Sequence, residues 1–535
     1  MKKIFICLML SLSSSLLVQA QLQTGEDVAV TNTASGKVRG YVHNNIYTYK
    51  GIPYAEAKRF EAPQAPKPWA GVRSSMTYGP VAPLMDATTA VQDESEFVFH
   101  HDWGYTNEDC MRANVWTPAI NDGKKRPVLF WIHGGGFTAG SSEELPSYDG
   151  ESLAKKGDVV VVSINHRLNI LGFLDLSAYG DKYKHSANVS MLDIKAALEW
   201  VKANIANFGG DPDNVTIFGQ SGGGAKVLTL MAMPGVKGLF SKAINESGAI
   251  KYDARDKAST QAVTAELLKV LHLEPNQADS LQTMPYSQLV DAGKKALKNI
   301  ADRMGDKNTS IFASLRQGWG PSIDGEDIPY QLYSKEALEL SKNVPMLIGT
   351  VKNEFSAFLF ASMNNASNDD IMAYLKKTRG DKANAYVDAF KKAYPADTKP
   401  SDMVAIDLMF RPGAVEFATA KSDLKAAPVY MYLFTWQSPV MGGKYKAVHC
   451  MEIPFVFNNI ARCEEMTGGT KEAYELATKA SDAWINFART GNPNAKSLPK
   501  WDAYNIAGMA TMYFDNKCEA KPQTDKELLS MGGGM

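Results

Sequence analysis

Val215-Thr216-Ile217-Phe218-Gly219-Gln220-Ser221-Gly222-Gly223-Gly224-Ala225 begins as a short β-branched, apolar run and ends in a cluster of glycines around one serine. The first half reads as a buried strand. Past Ser221, Val227, Leu228, Leu230 and Met231 recur at helical spacing until Pro234 stops the pattern. The join, Gly219-Gln220-Ser221-Gly222-Gly223, has the form G-x-S-x-G. A reversal this tight leaves no room for side chains two residues either side of the serine, and it holds the hydroxyl at a helix N-terminus, where developing negative charge is favoured. In a chain with 42 glycines a lone match also fits a plain strand–helix turn. The strand before it and the helix after it favour a nucleophile.

Working outward, the 535 residues are 45% hydrophobic, enough for a large core, and the formal net charge of −1 recommends neither nucleic acid nor an anionic membrane as partner. Lys2-Lys3, the serine-interrupted apolar stretch Ile4 to Leu17 and Val18-Gln19-Ala20 before Gln21 read as a secretory signal peptide over residues 1–20, so a periplasmic or secreted location is expected. No later stretch is long and apolar enough to span a membrane. Past the signal stand Cys110, Cys450, Cys463 and Cys518, too few for a disulfide scaffold and wrongly spaced for zinc. Cys450 and Cys463 could pair in an oxidising compartment or remain free.

Three short alternating runs, Val28–Thr31, Lys37–Tyr41 and Ile46–Tyr49, suggest antiparallel strands at one sheet edge. Residues 52–105 are Pro-rich and irregular, with Phe97, Trp103 and Tyr105 fitting either a pocket wall or a packed surface loop. Pro127–Ile132, apolar on both faces, has the character of a central parallel strand and runs into His133-Gly134-Gly135-Gly136-Phe137, where consecutive glycines can turn backbone N–H groups toward one point. Further strands are expected over Val159–Ile164, Phe240–Asn245, Pro345–Gly349 and Val429–Phe434, with a helix over Met191–Ile205 and helices across 255–312. The alternation predicts an α/β fold with a mainly parallel sheet covered on both faces, its functional loops at the carboxyl ends of the strands. No linker, repeat or low-complexity tract divides residues 21–535, so a single domain is expected.

A serine nucleophile needs a base, and the base an orienting acid. Of eight histidines, His449 lies downstream of the serine beyond the strand Val429–Phe434, and Glu354 follows the strand Pro345–Gly349. His133 and His166 read as structural, and His100 and His101 fall in the aromatic loop. The order Ser, acid, His is that of α/β-hydrolases.

Beyond this site, ordered segments resemble the type-B carboxylesterase/cholinesterase family over roughly residues 27 to 517. They include Tyr49–Ala55, Glu108–Trp116, His133–Phe137, Asn165-His166-Arg167, Asn207–Pro212, Gly320–Gly325 and Phe487–Pro493, besides the segments around Ser221, Glu354 and His449. The resemblance implies an α/β-hydrolase fold, Ser221, Glu354 and His449 as a triad, and the N–H groups of Gly135, Gly136 and Gly222 as an oxyanion hole. It implies no metal or organic cofactor. Three departures stand out. Gln220 replaces the family's usual Glu, weakening the case for a cationic ester, and Gly222 replaces its usual Ala. The cysteine that in many relatives pairs with the one matching Cys110 is absent.

The expected activity is serine carboxylesterase chemistry on a small-molecule ester through an acyl-enzyme. The alternatives are a non-catalytic binding or adhesion protein, or another acyl hydrolase such as a lipase or thioesterase on the same triad. Trp103 and Trp319, with Gln220, are candidate pocket residues.

Overall fold

The computed structural model describes residues 22–84, 94–250, 253–304 and 318–531, so the expected signal peptide lies outside the described residues. Twelve strands form one sheet. In chain order they are β1 (Leu22–Gln23), β2 (Tyr41–His43), β3 (Ile46–Pro53), β4 (Arg112–Thr117), β5 (Arg126–Ile132), β6 (Val160–Asn165), β7 (Gly210–Gln220), β8 (Lys242–Glu246), β9 (Met346–Val351), β10 (Val429–Phe434), β11 (Ala510–Phe514) and β12 (Glu519–Pro522). Across the sheet they run β1-β2-β3-β4-β6-β5-β7-β8-β9-β10-β11-β12. Pairing is parallel from β6 through β11 and antiparallel at both ends. Two buried clusters, one containing Phe130, Val162 and Ile217 and the other Trp131, Val161 and Phe218, cover opposite faces. That two-sided burial is why the central strands read as continuous apolar runs rather than alternating ones.

The predicted central strands are all present, and the helix read over Met191–Ile205 spans Val189–Asn204. The edge differs from expectation. Val30–Thr33 and Gly36–Arg39 pair with each other and with Val72–Ser74 in a separate three-stranded sheet, and only the strands from Tyr41 onward join the main one. Gly40 is where the chain changes sheets: a Cβ there would lie 2.1 Å from the Thr48 carbonyl oxygen. Strand β4 carried no strand signal because its polar residues are buried as deeply as its apolar ones. Asn114, for example, donates to Ser142 Oγ at 2.9 Å and Ser163 Oγ at 3.0 Å.

The helices expected across 255–312 are Lys257–Val270 and Tyr286–Arg303, and 305–317 lie outside the described residues. Within 52–105 the structure adds a short helix, Glu94–Phe99. Cys110, Cys450, Cys463 and Cys518 are all unbridged. Among the described residues no helix is long and apolar enough to cross a membrane.

Candidate active site

The elbow is built by backbone contact. A Cβ on Gly223 would stand 2.0 Å from the Ile132 carbonyl oxygen, and one on Gly219 would stand 2.7 Å from the Gly223 carbonyl carbon. Only glycine allows β7, β5 and the helix Gly222–Met231 to meet so closely. Between them Ser221 is held at φ 57° and ψ −124°, a conformation a non-glycine residue keeps only when its surroundings enforce it. The enforcement is visible: the Ser221 N–H donates to the Glu246 carbonyl at the end of β8 at 2.8 Å, and the Ala225 N–H donates to the Ser221 carbonyl at 2.9 Å.

Beyond β5 the glycine loop turns through positive φ at Gly135 (76°) and Gly136 (64°). The N–H groups of Gly135, Gly136 and Gly222 have no hydrogen-bond partner among the described residues. All three residues line one cavity of about 500 Å³ together with Ser221 and His449. The missing side chain at position 222 matters for this loop. A Cβ there would stand 2.2 Å from the Gly136 carbonyl oxygen and 2.4 Å from its nitrogen, so the loop occupies the space that a side chain at 222 would need.

His449 and Glu354 arrive on the loops after β10 and β9. Three hydrogen bonds tie these loops side by side: Asn353 N–H to the Ala447 carbonyl at 3.1 Å, Ala447 N–H to Asn353 Oδ1 at 3.1 Å, and His449 N–H to the Glu354 carbonyl at 3.4 Å. The ties bring His449 Nδ1 into close contact with Glu354 Oε2, while Val351 N–H donates to Glu354 Oε1 at 3.0 Å. Burial opposes charge on both partners, raising the Glu354 carboxyl to about 8 and lowering the His449 imidazole to about 3. The resting imidazole is therefore neutral.

Several neighbours were not legible in the sequence. Phe355 and Phe410 flank the imidazole, with ring centroids at 4.2 Å and 5.1 Å, and shield those faces from water. Asp407 accepts N–H bonds from Met409 at 2.8 Å and Arg411 at 2.8 Å, and its charge favours the protonated imidazole. Its signal was an Asp shortly before a helical run with Pro412 in the first turn.

Of the pocket candidates, Trp103 lines the cavity, stacked on His101 at 4.5 Å, as do Phe99, Phe137 and Phe358. Trp319 does not line it: the ring is buried in the main core. Phe97 and Tyr105 point outward, 55% and 60% exposed. Gln220 faces the cavity but is fully buried, its Nε2 lying 3.3 Å from His449 Nε2 and its Oε1 accepting the Cys450 thiol at 3.1 Å. His133 and His166 stack on one another at 4.9 Å beneath the glycine loop, both held neutral by burial. No cluster of metal-ligating side chains occurs among the described residues.

A parallel-centred sheet with a strained serine at a strand–helix elbow, and a buried His–Glu contact opening into the same cavity, defines an α/β-hydrolase. Comparison with known proteins makes this specific: the model of the Carboxylesterase family matches residues 27–530, and the chain belongs to that family. It is a carboxylic ester hydrolase. The chain is similar to the para-nitrobenzyl esterase of Bacillus subtilis, with 35% identity over 93% of this chain and 97% of that one. It is also similar to the phenmedipham hydrolase of Pseudarthrobacter oxydans, with 32% identity over 90% and 94%. Among solved structures it resembles an esterase from Clostridium hathewayi that can hydrolyse aliphatic aromatic polyesters, with a TM-score of 0.82 and 36% identity over 95% of this chain and 98% of that one.

Because the Gly136 backbone fills the space beside Gly222, Gly222→Ala should push the glycine loop away from the serine. We expect kcat/KM for a neutral ester to fall roughly 10-fold or more with the fold retained, as for the loss of an oxyanion donor. Steady-state kinetics beside a melting curve check this, and an unchanged kcat/KM would show that the loop adapts freely.

Proposed function

We propose that this esterase works through Ser221 as nucleophile, His449 as general base and Glu354 as the acid that orients it. One observation carries the reading: the strained serine and the buried His449–Glu354 contact open into the same cavity. His449 takes the proton of the Ser221 hydroxyl as its oxygen attacks the ester carbonyl. The N–H groups of Gly135, Gly136 and Gly222 receive the developing oxyanion. Collapse of the tetrahedral intermediate returns the proton to the departing alcohol, and water, activated by the same histidine, then releases the acid.

We further propose a neutral ester with a bulky aromatic or apolar group as substrate. The aromatic lining supports it, as does the absence of a carboxylate at position 220, where Gln220 is bound to His449 and Cys450. The names of the relatives, a para-nitrobenzyl esterase and a hydrolase of aliphatic aromatic polyesters, point the same way. Ser221→Ala should lower turnover of a neutral aromatic ester by at least roughly 10³-fold and abolish labelling by a fluorophosphonate, with the melting temperature little changed. Wild type should prefer the neutral ester to a cationic isostere of equal size. Near-native turnover by the variant would remove Ser221 from the mechanism.

The pH profile follows from burial. The base must be neutral, and burial lowers the imidazole pKa, so activity persists as pH falls until that lowered value is reached. The acid limb of kcat/KM should therefore lie below about 6.5, the ordinary histidine value. A limb at or above that value, measured with a non-ionising substrate, would show that the Glu354 carboxylate outweighs desolvation.

We also propose export through residues 1–20, supported by the basic start, apolar stretch and small-residue site before Gln21. Protein recovered from outside the cytoplasm should begin at Gln21 on N-terminal sequencing. An intact Met1 on that material would count against cleavage there.

A further inference from the structure

Lys226 lies on the helix that opens with Gly222, and it is completely buried. Its Nζ donates to the carbonyl oxygens of His133 at 3.1 Å and Gly134 at 3.4 Å. Those carbonyls belong to the glycine loop, and the Gly134 carbonyl shares one rigid peptide plane with the Gly135 N–H. A donor that draws the oxygen of a peptide fixes the direction of its N–H and polarises it toward stronger donation. We propose that Lys226 is a positioning residue of the oxyanion hole, gripping the Gly134–Gly135 peptide from its carbonyl side and aiming the Gly135 N–H at the oxygen of the reacting carbonyl. This rests on the mechanism proposed above, in which Gly135 is an oxyanion donor.

Filling the helix–loop space does not require an amine. A methionine of similar length would occupy the same volume without burying a charge, and burying an ammonium without a close counter-ion is unfavourable to folding. The groups facing Lys226 do not cancel that cost. His133 after β5 and His166 after β6 are uncharged. Glu144, from the segment following the glycine loop, favours the ammonium, but burial raises its own carboxyl to about 7, and Tyr148 donates to it at 3.1 Å. The Phe137 ring completes the surroundings at 6.0 Å. Desolvation brings Lys226 down to about 7, so its charge is lost as pH rises through neutrality. The neutral amine still donates, but it pulls less on the carbonyl.

The test compares wild type with Lys226→Met and Lys226→Gln from mildly acidic to mildly alkaline pH. Lys226→Met should lower kcat roughly 10- to 100-fold with KM changed less than about threefold, comparable to weakening one oxyanion donor. Its melting temperature should be equal to or above that of wild type. Wild type should show a decline in kcat as pH rises through neutrality, and this decline should be absent from Lys226→Met. Lys226→Gln, a donor without a charge, should recover part of kcat and also lack the decline. Glu144→Gln, which removes the carboxyl favouring the ammonium, should move the decline to lower pH.

The inference is overturned if kcat of Lys226→Met matches wild type, or if the alkaline decline survives in that variant. It is also overturned if kcat and melting temperature fall together with Lys226→Gln no better than Lys226→Met. Absence of Ser221-dependent turnover in wild type would overturn the underlying mechanism and the inference with it. Wild-type turnover indifferent to Lys226→Met overturns the inference alone.

Discussion

The site depends on one close approach, the Gly223 backbone against the Ile132 carbonyl. Nothing larger than hydrogen fits between them, since a Cβ would stand 2.0 Å from that oxygen. This contact sets how tightly the strand Gly210–Gln220 can turn into its helix. Through that turn it sets the strained backbone of Ser221. The same approach brings the end of β5, and hence the glycine loop that continues from it, alongside Ser221. Widening it would misplace the serine and the glycine loop together, because both are extensions of the two strands that meet there.

A second constraint is electrostatic. The molecule buries several ionisable groups under the strand ends. Besides His449 and Glu354 they include Asp407, Glu246, Glu452 and Lys226. Glu246 is partly satisfied by the Trp484 indole N–H at 2.6 Å, and burial, with repulsion from Glu452, raises its carboxyl well above the usual range; burial, with repulsion from Glu354, does the same to Glu452. Such an arrangement is unfavourable to stability. In the mechanism proposed, the buried dipoles and charges beside Ser221 are screened less than in water, which strengthens a hydrogen bond to a developing oxyanion.

The two remaining members of the site are aligned more by backbone than by side-chain packing. The loops bearing Glu354 and His449 follow adjacent parallel strands, and the hydrogen bonds between Asn353, Ala447, Glu354 and His449 continue the sheet's register past its edge. Glu354 and His449 are thereby tied to one another through the backbone as well as through their side chains. Phe355 and Phe410, bracketing the imidazole, limit the ring's freedom and its access to solvent. The aromatic character of the cavity and the low basicity of the histidine thus share one cause.

The sequence by itself determined the class of fold and singled out Ser221, Glu354 and His449, the residues of the proposed triad. The strand Val215–Phe218, the glycines at 219 and 223, and the Ser–Glu–His order are local patterns, and local patterns survive in one dimension. It also marked the central strands, since burial on both faces leaves continuous apolar runs. Only the tertiary structure decided the rest. It sent the hairpin Val30–Arg39 to a separate sheet, placed Trp319 in the core and Trp103 on the cavity, and turned Gln220 onto His449 and Cys450. It also set Phe410, Asp407 and Lys226 around the site. These depend on which distant segments share a neighbourhood and on how far water is excluded there, and neither quantity is carried by any window of sequence.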